Sequence, residues 1–347
     1  MLTCKSLRFI NQDIGGALKF SEAVDKARAL RANLGQIVKG HEAGLDATVI
    51  AILARGHVLL ESVPGEGKTL LATVLSASIS GITTGRISGQ PTLKPSDLLG
   101  AEIIGRGAEQ FQLIRGPIFN NIVLFDELNR TDPRTQSALL ESMQEFQVTI
   151  GETQYPLPRP FHVIATQNPL SHEGTWELDA AAKQRFLVKI EWQAPSRDIE
   201  FQIASESKAF LKENIEQLQP ALTVAELQRI QELAASEVEL TDDLIHLMNA
   251  ITVATRPTDD SYPTAELDAN GFGREVISRN GGVSSRASSF WPPLLKAHAL
   301  FHGRQHVVPF DVFATAYPML VHRIETNYPV DMKGLIHLIL RERGYAY

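Results

Sequence analysis

A chain of 347 residues, 44% hydrophobic and 21% charged, has the composition of a globular protein and the length for two domains around a sizeable core. Its formal net charge of −7 argues against broad non-specific binding to nucleic acid or an anionic membrane, and its single cysteine, Cys4, excludes an internal disulfide and a cysteine-based metal site. A lone cysteine suits a reducing compartment, residues 1–5 lead into no secretory apolar run, and no stretch approaches the roughly 18 apolar residues that span a bilayer, so a cytoplasmic protein is expected.

Residues 1–20 lack periodicity and are expected to form an N-terminal arm. A helix is predicted from Ser21, a candidate cap, with Ala23, Ala27 and Leu30 on one face. A turn over 36–42 then leads into an apolar helix over 45–53. His57-Val58-Leu59-Leu60 reads as a short buried strand and residues 70–74 as the opening of a helix. Between them, Ser62-Val63-Pro64-Gly65-Glu66-Gly67-Lys68-Thr69 has the spacing of the phosphate loop G-x-x-x-x-G-K-[ST], with Ser62 where the first glycine belongs. That order suits the chemistry, because successive backbone N–H groups at a helix N-terminus face a phosphate. Gly65 and Gly67 permit the twist and the close approach, Lys68 would reach the β- and γ-phosphates, and the Thr69 hydroxyl would sit on Mg²⁺. The alternative is an ordinary strand–turn–helix corner.

Residues 81–107, rich in Gly, Pro and Thr, read as an insertion of short strands and turns. The run Ile122-Val123-Leu124-Phe125 is a second buried strand ending in Asp126-Glu127. A helix over 135–146 is expected to turn Ala138, Leu139, Ser142 and Met143 inward, and 147–155 alternates around a glycine as a β-hairpin does. A third strand over 161–166 ends at Gln167-Asn168-Pro169, followed by a short helix over 178–186 and a fourth strand over 187–190. Past Pro195 strand signals vanish, and 199–218, 224–233, 242–255 and 286–301 read as helices. The expected division is therefore an α/β nucleotide-binding domain over 21–195 and an all-helical domain over 196–347 with a long loop at 256–283.

Strands alternating with helices predict a parallel sheet with ligands at the strand C-terminal ends. Asp126 and Glu127 fall there: the first would hold Mg²⁺ through its water shell and the second would orient the attacking water, a pair of solvated acids being the alternative. Asn168 would hydrogen-bond a γ-phosphate or that water, although Asn-Pro is also a common turn. Arg185 and Arg286 stand at the ends of apolar helices, where the residues alone make an arginine solvated or salt-bridging more often than phosphate-binding.

Gly116-Pro117-Ile118-Phe119, Leu124-Phe125-Asp126-Glu127-Leu128-Asn129-Arg130, the run from Pro133 to Glu145, and Ile164-Ala165-Thr166-Gln167-Asn168-Pro169 occur in an order that resembles the AAA+ ATPases, and in detail the MoxR family. The resemblance is close over 36–190 and looser through Arg323. It implies a P-loop AAA+ core with a parallel sheet flanked by helices, followed by an all-helical lid. It makes Lys68 and Thr69 the Walker A pair, with Pro64, Gly65, Glu66, Gly67 and Leu70 around them as cofactor-binding residues. Asp126 and Glu127 become the Walker B pair, Asn168 sensor 1, Arg185 the arginine finger that reaches a neighbouring subunit, and Arg286 sensor 2, while Ile37, Val38 and Gly40 line the adenine pocket. Residues 81–107 resemble the helix-2 insert and 147–155 the pre-sensor hairpin, which face a central pore in related machines. The cofactors implied are ATP and Mg²⁺, bound between lid and core. The assembly implied is a hexameric ring that remodels or activates a client protein, for example in cofactor or metal insertion, with a von Willebrand factor A-domain partner. No nucleic-acid partner is expected; a nucleic-acid motor and a nucleotide-gated scaffold are the alternatives. Ser62, Leu128, Lys183-Gln184 and Ser285 depart from the family pattern, and 256–283 looks longer than its lids carry, as a partner loop or a tolerated insertion.

Overall fold

The computed structural model describes residues 18–62, 67–104, 111–168, 175–192, 195–205, 215 and 217–344. The expected arm therefore lies almost wholly outside the described residues. Helix α1 (Phe20–Ile37) opens one residue earlier than expected, with the Glu22 carboxylate rather than Ser21 capping it by accepting the Lys19 N–H. Ala23, Val24, Ala27, Leu30, Leu34 and Ile37 form its buried stripe at helical spacing. Helix α2 (Glu42–Leu53) is apolar on most sides and buried accordingly, and it delivers the chain to β1 (Val58–Glu61).

After β1 come α3 (Lys68–Ala77), β2 (Ile79–Ser80), β3 (Thr84–Ser88), α4 (Pro95–Leu99), β4 (Gly100–Ile104) and β5 (Phe111–Arg115). Next are β6 (Ile122–Asp126), α5 (Pro133–Glu145), β7 (Gln147–Ile150), β8 (Thr153–Pro156), β9 (His162–Gln167), α6 (Ala180–Lys183) and β10 (Val188–Glu191). The central sheet is parallel throughout, in the order β10-β1-β9-β6-β3. Successive strand residues fill opposite faces: Val58, Leu60, Ile122, Leu124 and Ile164 enter one core, and Leu59, Val123, Phe125, Val163 and Ala165 the other.

Five strands stand where four were expected. The fifth, β3, was assigned to the insertion because only Gly85 and Ile87 are buried, so it lacks the continuous apolar run of a strand covered on both faces. The rest of the insertion is α4 and the antiparallel ribbon β4–β5. Gly100 (φ +91°) is required there, since a Cβ would lie 2.0 Å from the Ile114 carbonyl oxygen. The hairpin at 147–155 is β7–β8, and the Tyr155 hydroxyl donates to Glu102 Oε1 at 2.7 Å, tying the two ribbons together. The helix expected over 178–186 is a single turn, capped by Asp179.

The remaining elements are α7 (Arg197–Ser205), β11 (Leu222–Thr223), α8 (Val224–Glu237), α9 (Asp242–Ala254), α10 (Thr264–Ala269), α11 (Arg286–Phe301), α12 (Pro309–Leu320) and α13 (Met332–Arg341). The two-residue β11 pairs with β2, so strand structure does not vanish entirely. The stretch 256–283 is not a bare loop, since it carries α10 and buries Tyr262, Leu267, Val276, Ile277 and Val283. Helix α8 lies against α1, α2 and α11, and α12 against β10 and α11, so the helical part shares one hydrophobic core with the first two helices.

Candidate functional site

Four strand ends converge beside the N-terminus of α3. Ser62, just past β1, donates its backbone N–H to the Gln167 carbonyl at 3.2 Å. Its φ is not positive, so the side chain in place of the motif's first glycine adds no left-handed strain. Pro64, Gly65 and Glu66 lie outside the described residues. Gly67 caps α3 in the left-handed conformation (φ +80°), which explains a glycine at that place. Lys68 is 8% exposed and its Nζ donates to the Ser62 carbonyl at 3.2 Å, while Thr69 and Leu70 on the same turn are half-buried.

Asp126 ends β6. Its Oδ1 accepts from the Thr166 hydroxyl of neighbouring β9 at 2.8 Å, and the same hydroxyl accepts the Glu127 N–H at 2.8 Å. The other carboxylate oxygen accepts from Arg86 Nη2, on β3, at 3.2 Å; that nitrogen also reaches the Thr69 hydroxyl at 3.4 Å. One cationic nitrogen thus lies between the two side chains expected to serve a metal. Glu127 is held at φ +55°, a left-handed backbone costing an L-residue about 1–2 kcal/mol, and its Oε2 accepts from Arg130 Nη1 at 2.9 Å. Asn168 is nearly buried and clamped through its backbone by Asn129, whose Nδ2 donates to the Asn168 carbonyl at 3.1 Å. Lys68, Thr69, Asp126, Glu127 and Asn168 are therefore brought to one end of the sheet.

The expected adenine residues sit beside this end but do not open a cleft with their side chains. Ile37 and Val38 are buried in the core, and Gly40 (φ +79°) packs against Pro195 and Ile199, where a Cβ would meet Ile199 at 2.9 Å. A cavity of about 570 Å³ between α2, β10, α11 and α12 touches the expected set only at Gly40. It holds the stacked rings of His41 and Trp192, 4.1 Å apart, with Lys189 and Lys333 also in its lining.

Arg185 and Arg286 lie elsewhere. Arg185 precedes β10, whose Val188 pairs with Val58 at the start of β1, so it stands at the opposite end of the sheet from Lys68. That is roughly 13 Å of strand away at about 3.3 Å per residue. It lines a pocket of about 310 Å³ together with Gly56, His57, Leu187, Phe290 and Arg286. Burial, and then the neighbouring Arg286 guanidinium, hold the Arg185 pKa below its ordinary value, with Asp179 opposing. The Arg185 Nη1 donates to the Ala181 carbonyl at 3.1 Å, and its Nε has no partner among the described residues. The expectation of Arg286 closing over ATP between lid and core is thus not met within one chain. The physical reason is that α11 lies along α2 and α8, which sets its first residue beside the Gly56 turn.

Arg86 was not singled out from sequence, and Thr166, Asn129 and Arg130 stood in the motif runs without a role of their own. Arg86 sits in a strand with no apolar run, and the pairing of Thr166 with Asp126 needs β6 and β9 to be neighbours. Among the described residues, no cluster of three or more His, Cys, Asp or Glu is placed to hold a metal, and no helix is long and apolar enough to cross a membrane.

Residues 57–188 match the model for the ATPase family associated with various cellular activities (AAA), and 274–341 match the AAA lid domain. The chaperone MoxR1 of Mycobacterium tuberculosis is 34% identical over 314 residues, covering 90% of this chain and 79% of that protein. Protein MoxR of Methylorubrum extorquens is 28% identical over 323 residues, covering 89% and 90%. A crystal structure of a protein from Cytophaga hutchinsonii, described as a candidate ATPase, matches with a TM-score of 0.82 and 33% identity, covering 93% of this chain and 96% of that one.

Proposed function

Because the chain belongs to the MoxR family of AAA ATPases, we propose that it hydrolyses ATP with Mg²⁺ at the strand ends beside Lys68, in a ring of identical copies. The observation that carries this reading is the convergence of Lys68, Thr69, Asp126, Glu127 and Asn168 on one end of the sheet, with Arg185 and Arg286 turned to the other. The donor set fits a metal, since the Thr69 hydroxyl and Asp126 carboxylate already flank one positive charge. Mg²⁺ bound there would neutralise charge on the β- and γ-phosphates.

The chain's own groups then have distinct tasks. Lys68 leaves the Ser62 carbonyl for the phosphates, and the α3 N-terminus presents backbone N–H groups to them. Glu127, aimed by its left-handed backbone and the Thr166 hydroxyl, orients water and accepts its proton. Asn168 donates its side-chain amide to the same water or to the terminal phosphate. The adenine rests against the backbone of Ile37, Val38 and Gly40, and the nucleotide-binding part is 21–195 with the helical part 196–347. Arg185 and Arg286 face a neighbour's nucleotide, because neither reaches the phosphate end of its own sheet.

The rest follows family precedent: a cytoplasmic hexamer whose two ribbons face the pore, an A-domain partner, and a client remodelled for activation or metal insertion. An arginine finger contributes about 10³- to 10⁵-fold in rate. Turnover per protomer should therefore climb steeply with protein concentration as rings assemble, followed by phosphate release alongside light scattering. Turnover per protomer that stays constant from monomer to oligomer would sink the shared-site reading.

A further inference from the structure

The guanidinium of Arg323, three residues past the end of α12, is buried: the residue is 3% exposed. Among the described residues it has no ion-pair partner, and burial alone draws its pKa down to about 9. Such a charge is unfavourable to bury unless its hydrogen bonds compensate. Those bonds are specific. Nη2 donates to the Phe186 carbonyl at 2.7 Å, and Nη1 to the Leu187 carbonyl at 3.2 Å and to Met319 of α12. Neighbouring His322 is kept neutral by burial and by Arg323, and its Nε2 lies 3.1 Å from the Phe186 carbonyl and 2.7 Å from Arg323 Nη1.

Phe186 and Leu187 are the two residues that follow Arg185. On the other side of Arg185, the Ser284 hydroxyl donates to the Gln184 side-chain oxygen at 2.8 Å, two residues before Arg286. The segment 184–187 is thus gripped from both flanks by the helical region, while among the described residues the Arg185 side chain itself bonds only Ala181. The Phe186 ring is wholly buried in the core beneath the sheet, so the segment has little freedom except through these grips.

We infer that Arg323 is a positioning residue for Arg185: its planar fork fixes the backbone from which that guanidinium is presented to a neighbouring protomer, and it makes Arg185, Arg286 and the end of α12 one unit. This rests on the reading of Arg185 as acting on a neighbour's nucleotide. Lysine cannot reproduce the fork.

The test is mixed-ring complementation with three variants. Arg323→Met keeps the apolar stem and removes the buried charge, at the cost of leaving the Phe186 and Leu187 carbonyls without that donor. Its turnover should fall at least about tenfold, toward the larger deficit of Arg185→Ala, while a fluorescent ATP analogue binds with wild-type affinity. Arg323→Lys should fall between wild type and Arg323→Met. Glu127→Gln, without turnover of its own, carries an intact Arg185 and Arg323. Mixing it with Arg323→Met should restore turnover to the extent that mixing it with Arg185→Ala does. If only the Arg185→Ala mixture recovers, or if Arg323→Met turns over at the wild-type rate, the inference is overturned while the shared-site reading stands. If the Arg185→Ala mixture fails to recover, the shared-site reading itself falls and takes this inference with it. Should Arg323→Met melt early, Arg323→Lys in the same mixture decides by the same criterion.

Discussion

A cationic nitrogen between the Thr69 hydroxyl and the Asp126 carboxylate competes with any metal that needs the same two oxygens. Arg86 holds that place with its side chain 56% exposed, so its grip resembles that of a surface ion pair, up to about 1 kcal/mol. Arg86→Ala should therefore lower the Mg²⁺ concentration giving half-maximal nucleotide binding by up to about fivefold, read by titrating Mg²⁺ against a fluorescent ATP analogue. A raised Mg²⁺ requirement would instead make Arg86 a phosphate ligand. Glu127 shows the same economy of placement: a backbone strained at one residue, locked by one hydroxyl, sets where a carboxylate points.

Among the elements, α8 decides how the helical part is attached. Leu227, Ile230, Leu233 and Ala234 turn one face toward α1, α2 and α11, and Ile230 is fully buried. Ile230→Ala should remove about 2–5 kcal/mol of stability, and hydrogen exchange should quicken together in α1, α2, α8 and α11 rather than in α8 alone. Helix α8 was legible from its apolar spacing, as were β1, β6 and β9 from their apolar runs and β10 from Leu187, Val188 and Ile190, because the information lies within a few residues of sequence. Lys68, Thr69, Asp126, Glu127 and Asn168 were legible for the same reason: each follows a buried strand at fixed spacing. Strand β3 was not, since an edge strand needs only alternate burial, and α10 was not, since one buried leucine anchors six residues. Where Arg286 lands was also beyond local pattern. It depends on how α11 packs against α2 and α8, which are far away in sequence.

At the scale of the molecule, two buried histidines join most of the layers. His57 Nδ1 accepts the Val163 N–H at 3.0 Å, leaving Nε2 to donate to the Met143 carbonyl at 3.2 Å. His162 Nδ1 donates to the Gly56 carbonyl at 2.9 Å, and its Nε2 lies 3.3 Å from Gln231 Nε2, which also donates to the Ile52 carbonyl at 2.8 Å. One knot thus links α2, β1, α5, β9 and α8, and each ring must stay neutral because a second proton would abolish its acceptor. Burial lowers His57 to about 3 and His162 to about 4, from 6.5. A histidine depressed in the folded state takes up its proton only on unfolding. The stability it contributes is therefore complete above about pH 6.5 and is lost as pH falls toward the folded value, by about 1.4 kcal/mol per pH unit for each group. His41, His302 and His322 are shifted in the same direction, so they add to the slope. Urea midpoints should accordingly drop steeply from about pH 6 to pH 4.5, while carboxylates still hold their charge. A midpoint flat across that range would mean the knot accepts protons without opening. Because His57 also lines the pocket of Arg185 and Arg286, the acid transition should loosen that end of the sheet, and disassembly of the proposed ring should precede loss of secondary structure.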